Sequence, residues 1–247
     1  MARHSGPAEL SSGMKGFFCT SNREKDSVRE AYNLLNEHAD ILYGTENLAK
    51  GTDNDKEEGK SLEIEDELSK EVSELKKERE KPINERRFQN VQTGVKGCIF
   101  IQTTVDSPSL VVDAILDDIE KKKQPTTKFL QRMLPIQITC KSVLEDIVKA
   151  AEKMLTTQKL DGYKNFSILA KIRNHNLKQE QLIEPIAELV QKAYPDIAVN
   201  LTDPEVSIVV EVVRKITCLG IVKKYNGRSK YNLLEFALKK DSNKTVE

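Results

Sequence analysis

No two glycines in this chain stand one residue apart, and no GxxxxGK[ST] run occurs. The backbone cradles that hold dinucleotides and P-loop phosphates are therefore not signalled. A GxSxG nucleophile elbow and an HExxH zinc pair are missing too. The three histidines, His4, His38 and His175, are scattered. A lone histidine is more often a surface or satisfied side chain than a ligand or base. The four cysteines, Cys19, Cys98, Cys140 and Cys218, never approach CxxC spacing. That argues against a zinc or dithiol motif, and their number is too small for a secreted disulfide scaffold. Reduced, mostly buried thiols in an intracellular, reducing compartment are expected. Cys140 and Cys218 are the conceivable nucleophiles, but nothing marks a base near either. No apolar run approaches ~18 residues, and no leader pattern is visible, so neither a transmembrane helix nor a signal peptide is expected. Together these absences favour a binding protein over an enzyme, with no cofactor, no metal, no membrane and no small-molecule substrate.

What the chain does have is charge, at 32% of its residues, and the totals cancel: 39 Lys and Arg against 39 Asp and Glu. The balance hides an asymmetry. Residues 53–80 hold twelve acids and six bases, which leaves that stretch at −6 and the remainder at +6. Residues 121–142, KKKQPTTKFLQRMLPIQITCKS, carry six positive charges and no negative one.

Along the chain, residues 1–13 read as a disordered tail. KGFFCTS (15–21) reads as a strand. Residues 24–44 read as a helix, because Val28, Ala31, Tyr32, Leu35, Ala39 and Leu42 fall on one face. Residues 45–85 are an acidic insertion that fits a disordered loop plus an exposed helix over IEDELSKEVSELKKERE. Strands follow at 86–93 and 97–104. A helix at 109–123 starts behind Ser107-Pro108, and a strand follows at 133–139. The order β-α-β-β-α-β is that of a ferredoxin-like module. Ser142 and Glu145 form an S-x-x-E capping box for the next helix. Strand 166–172, helix 177–194 with Pro185 inside it, and strands 197–201, 206–213 and 218–225 complete a second α/β unit. NLLEFALKK reads as a short closing helix. The expected fold class is α+β, divided as 14–140, 141–231 and a helix with tail at 232–247.

KNFSILAKIRNHN, a helix, and IAVNLTDPEVSIVVEVVRKITCLGIVKKY resemble a THUMP domain. The preceding half resembles the ferredoxin-like module found before such domains. With GFFCTSNREKDSVREAYNLLNEHADILYG, RRFQNVQTG, QRMLPIQITCKSVLED and KYNLLE, the chain is similar to the THUMP domain-containing protein 1 family over most of residues 14–236. The resemblance implies an RNA-binding, non-catalytic adaptor. Such an adaptor grips the acceptor end of tRNA and presents it to a separate cytidine acetyltransferase for N-acetylcytidine formation. It also implies residence in the nucleus, in particular the nucleolus. Two other readings stay open: an RNA-modifying enzyme with a site around Cys140 or Cys218, and a protein-interaction module working through its acidic arm.

On that reading the basic run lies at the seam of the two units. Lys128, Arg132 and Lys141 would meet phosphates there, beside a helix N-terminus. Arg132 has sheet-edge protection as its alternative, as do Arg86 and Arg87. Lys121–Lys123 equally suit the C-terminal dipole of the preceding helix. Lys171 and Arg173 flank Ile172 and share a face. Lys223, Lys224, Arg228 and Lys230 form a second cluster, or a plain solvated loop. Pro135 fits an edge strand or bulge.

Overall fold

A computed structural model of the chain describes residues 8–45 and 86–239. Almost all of the acidic insertion (45–85) and its expected helix lie outside the described residues. The first unit runs β1 (Gly16–Ser21), α1 (Glu24–Tyr43), β2 (Phe88–Val91), β3 (Cys98–Thr103), α2 (Pro108–Lys122) and β4 (Leu130–Ile136). Its strands lie in the order β2-β3-β1-β4, and every neighbouring pair is antiparallel. Acids Glu24 and Asp26 occupy the first turn of α1, where they meet the positive dipole end. Gly44 closes that helix at φ 78°, donating its N–H to the Asp40 carbonyl. Pro108 starts α2, where its missing N–H costs nothing, and Lys121 and Lys122 occupy the last turn.

The second unit runs β5 (Ile138–Lys141), α3 (Leu144–Thr157), β6 (Asn165–Arg173), α4 (Gln179–Ala193), β7 (Ala198–Val199), β8 (Val206–Val213) and β9 (Ile216–Lys223). The sheet order is β5-β9-β8-β6-β7; β6 is parallel to β7 and β8, and the other pairs are antiparallel. All eight residues of β8 are buried, as its apolar run requires. Ile208, Val210 and Val212 share a core with Ile147 of α3 and Leu182 of α4. Val209 and Val213, on the opposite face, join Cys218 and Val222 in the core of the first unit with Phe18, Phe100 and Leu134. The second sheet is thus covered on both sides, once by its own helices and once by the first unit. After a 3₁₀ turn (Ser229–Tyr231), α5 (Leu233–Leu238) returns to the first unit, and Tyr231, Leu233 and Ala237 enter that core.

Three expectations need correction. The strand expected at 133–139 is two strands in two sheets, and the chain changes sheet at Gln137. Its N–H donates to the Leu219 carbonyl at 3.0 Å, its side-chain oxygen accepts from Ile221 N–H at 2.8 Å, and its amide nitrogen bonds Ser109 Oγ at 2.6 Å. No glycine or charged turn marks the switch: Met133–Ile136 are buried in a row, and Ile138 follows directly after Gln137. Pro135 sits on β4, the edge strand of the first sheet, where no ladder N–H is lost to a second neighbour. The capping box does not form. Val143 is the N-cap of α3, and the Ser142 hydroxyl is buried 3.0 Å from Thr217 Oγ1. Residues 8–13 of the expected tail are tied down. Leu10 N–H bonds the Gln92 carbonyl at 2.9 Å, Gln92 N–H bonds the Ala8 carbonyl at 2.8 Å, and Thr139 Oγ1 donates to the Ser11 carbonyl at 2.7 Å. Pro185 stands inside α4 without ending it.

The sheet switch is tightly packed. A Cβ at Gly220 would collide with the Pro135 carbonyl oxygen and approach Gln137 Oε1 to 3.1 Å. Gly220→Ala is expected to cost about 1–3 kcal/mol through overpacking, read as a lowered thermal midpoint.

Candidate nucleic-acid interface

The basic residues singled out from the sequence separate into structural clamps and available cations. Arg87 is a clamp: Nη1 donates to Asp40 Oδ1 at 2.5 Å and Nη2 to the Gly44 carbonyl at 2.7 Å, fixing the end of α1. Arg228 is another, bonding Asp113, and Asp117 at 3.2 Å, so that the C-terminal turn is tied to α2. Arg173 reaches across the seam. It ion-pairs with Glu211, and its guanidinium carbon lies 5.2 Å from the centroid of the Phe18 ring in the first sheet. Arg86 is half-buried just before β2.

Arg132, Lys171 and Lys230 are brought together. Arg132 enters from β4, pairing with Thr20 on one side and bridging Asn232 on the other. Lys171 stands beside Glu211 on the face of β6 that looks toward the first unit. Lys230 comes from the C-terminal turn, in the left-handed region at φ 57°. Partial desolvation lowers the pKa of the exposed Lys171 side chain; neighbouring Arg132, Arg173 and Lys230 lower it further, while Glu211 opposes them. Burial likewise pushes the Glu211 carboxyl up, and Arg173, Lys171 and Arg132 pull it back. Three cations, Arg173, Lys171 and Arg132, therefore act on one carboxylate, and Lys230 lies beside Lys171. None of Arg132, Lys171 and Lys230 has a carboxylate within ion-pair distance among the described residues, so the group is short of negative charge. Uncompensated like charges at a seam are destabilising in isolation and mark a candidate site.

Lys128 belongs to a loop held by one side chain. The Glu30 carboxylate of α1 accepts from the backbone N–H groups of Lys128, Phe129 and Leu130 at 2.8–3.3 Å. The loop leaves Phe129 half-buried, with Arg23 5.0 Å and Lys128 5.4 Å from its ring centroid. Lys141 lies elsewhere, in a cleft beside Arg214 and Lys215. Lys223 and Lys224 are exposed at the far end of β9. The sequence reading passed over Arg23, Arg214 and Lys215. The pair RK between VSIVVEVV and the next strand was the available signal for the last two, since a charged turn joining two buried strands must be at the surface.

The alternative nucleophiles are poorly prepared. Burial pushes Cys140 up to about 12 and Cys218 well above the ordinary thiol range, so both are neutral thiols. His38 is buried, donating from Nδ1 to the Leu34 carbonyl at 2.9 Å. No group of three or more potential metal ligands occurs among the described residues. No described helix is long and apolar enough to cross a membrane.

The THUMP domain model matches residues 141–222. A mouse (Mus musculus) protein named THUMP domain-containing protein 1 is 39% identical over 237 residues, covering 93% of this chain and 66% of that protein. The chain therefore spans just under two thirds of the length of such mammalian relatives. A Drosophila melanogaster protein named THUMP domain-containing protein 1 homolog is 31% identical over 268 residues, covering 99% of this chain and 80% of that protein. A Saccharomyces cerevisiae protein named tRNA acetyltransferase TAN1 is 25% identical over 264 residues, covering 96% and 91%.

The Glu30 clamp is directly testable. Glu30→Ala removes charge-assisted bonds to three N–H groups, and a stability loss of about 2 kcal/mol is expected in chemical denaturation. Hydrogen exchange at Phe129 and Leu130 should accelerate in the same variant.

Proposed function

The chain belongs to the THUMP domain-containing protein 1 family, and from that premise we propose that it is a non-catalytic adaptor that binds the acceptor end of tRNA and presents it to a cytidine acetyltransferase. The observation that carries the RNA part is the cation group Arg132, Lys171 and Lys230, drawn from β4, β6 and the C-terminal turn. Such a group attracts phosphates and gains by releasing their counterions. It lies where two units meet, so a bound strand would touch both. The first unit, with strand order β2-β3-β1-β4 around two helices, is read as ferredoxin-like. The acceptor end is A-form below and single-stranded at its tip, which suits recognition by backbone and shape. Presentation to an acetyltransferase, and work in the nucleus or nucleolus, are part of the same proposal.

A second reading has one observation behind it: the yeast relative's name makes that protein the acetyltransferase itself. Buried neutral thiols and the open, cationic site favour binding over transfer chemistry here. The two readings separate when the purified chain is incubated with tRNA and acetyl-CoA, with and without the candidate acetyltransferase. The adaptor reading expects acetylcytidine only when the second protein is present.

Binding to intact tRNA should weaken linearly in log affinity against log salt, and weaken further when the 3′ single-stranded end is removed. Arg132→Ala and Lys171→Ala should each reduce the salt slope by roughly 0.7–0.9, the contribution of one phosphate. Equal, weak binding of trimmed and intact tRNA would overturn the reading.

The depressed pKa of Lys171 supplies a pH signature. A phosphate stabilises the ammonium, so binding raises that pKa and takes up a proton. Affinity should then fall as pH rises through the free-state value. Lys171→Arg, which stays charged, should flatten the alkaline fall in a binding titration.

A further inference from the structure

A second cationic feature lies one step along the seam from Arg173. A cleft of about 670 Å³ opens between residues 9–12, the β2–β3 turn at 92–94, Lys141, and the β8–β9 turn at 213–216. Its cations are Lys141, Arg214 and Lys215, and its one carboxylate is Glu9. None of the three cations has an ion-pair partner among the described residues. The walls are held by backbone rather than by long side chains. Lys215 offers its carbonyl to Ser142 N–H at 2.8 Å, and Arg214 N–H bonds the Arg173 carbonyl at 3.0 Å. Residues 8–10 are tied to Gln92, as described above. Gly94 is at φ 68°, and a side chain there would collide with the Arg214 guanidinium lying across it. Leu10 and Ile216, both half-buried, give the cleft an apolar wall, and Ser11 and Ser12 add polar groups.

The volume falls within the range of small-ligand sites, about 300–1,000 Å³, which admits a nucleotide. The cleft is also placed to receive a strand leaving the cation group. Arg173 pairs with Val213 next to Arg214, and Lys171 is two residues back on the same strand, about 7 Å away. We infer that this cleft holds one nucleotide unit of the bound single strand, its phosphate on Lys141, Arg214 and Lys215 and its ribose and base against Leu10 and Ile216. The inference rests on the RNA-binding reading and adds to it a defined subsite, with the strand running from Lys171 past Arg173 into the cleft.

The test uses the full chain, intact tRNA, and cytidine 5′-monophosphate as a small probe. Wild-type protein titrated with the monophosphate should show backbone amide shifts centred on Gly94, Lys215 and Ile216. The double variant K141A/K215A should lose those shifts while keeping its thermal midpoint. With tRNA it should bind about tenfold more weakly, with a salt slope smaller by roughly 0.7–1.4, one or two single-strand phosphates. Three results would overturn the inference. If R132A and K171A weaken tRNA binding while K141A/K215A retains wild-type affinity and slope, the RNA reading stands and the subsite falls. If the monophosphate binds in the cleft but tRNA affinity is unmoved, the cleft serves free nucleotides instead. If wild-type protein binds no tRNA, the underlying reading fails and takes the subsite with it.

Discussion

The Arg173–Glu211 pair is the interaction on which the arrangement of the two units depends. Glu211 is 4% exposed, on the central strand of the second sheet and on the face covered by the first unit. A carboxylate there is costly unless a cation meets it, and removing one partner of such a pair typically costs about 3–5 kcal/mol. Arg173 meets it from the adjacent strand and also lies over Phe18, so one guanidinium serves an ion pair and an aromatic contact between sheets. The pair does not add stability simply by existing, since an apolar substitute could pack as well. It places a charged point on the covered face of the second sheet, and Lys171 and Arg132 lie close enough to act on the same carboxylate.

The positive excess at the seam follows from this geometry. One buried carboxylate is matched by one half-buried guanidinium, and the further cations Arg132, Lys171 and Lys230 have no such match among the described residues. Glu30 plays the corresponding role at the loop before β4, where it spends its charge on backbone N–H groups and leaves Lys128 and Arg23 outside. Both carboxylates therefore organise backbone or buried structure, and neither neutralises the surface cations. A near-neutral chain can in this way present a strongly basic face.

Much of the fold was legible in the sequence, for identifiable reasons. The apolar stripe of residues 24–44, Pro108 at a helix start and the uninterrupted run VSIVVEVV each report local or two-sided burial, and each element formed as read. The switch at Gln137 was not legible, because one apolar stretch runs into the next with no turn residue between them. The Ser142–Glu145 pattern misled because a hydroxyl that fits a cap also fits a buried bond to Thr217. In the site, residue type was readable and availability was not. Arg87, Arg173 and Arg228 are as basic on paper as Arg132 and Lys171, but their partners Asp40, Glu211 and Asp113 lie between 38 and 115 residues away. The cleft cations Arg214 and Lys215 gain meaning only when the turn carrying them is set beside Lys141 and the segment 9–12.

The return of the C-terminal helix to the first unit has a temporal consequence. The core containing Phe18 and Leu35 also contains Tyr231, at 1% exposure, and Leu233, at 0%. The second unit is thus threaded in sequence between β4 and α5. On a ribosome, the first unit cannot complete its interior until Tyr231, Leu233 and Ala237 have emerged. Maturation then does not follow chain order, because the layer made before the second unit is sealed by residues made after it.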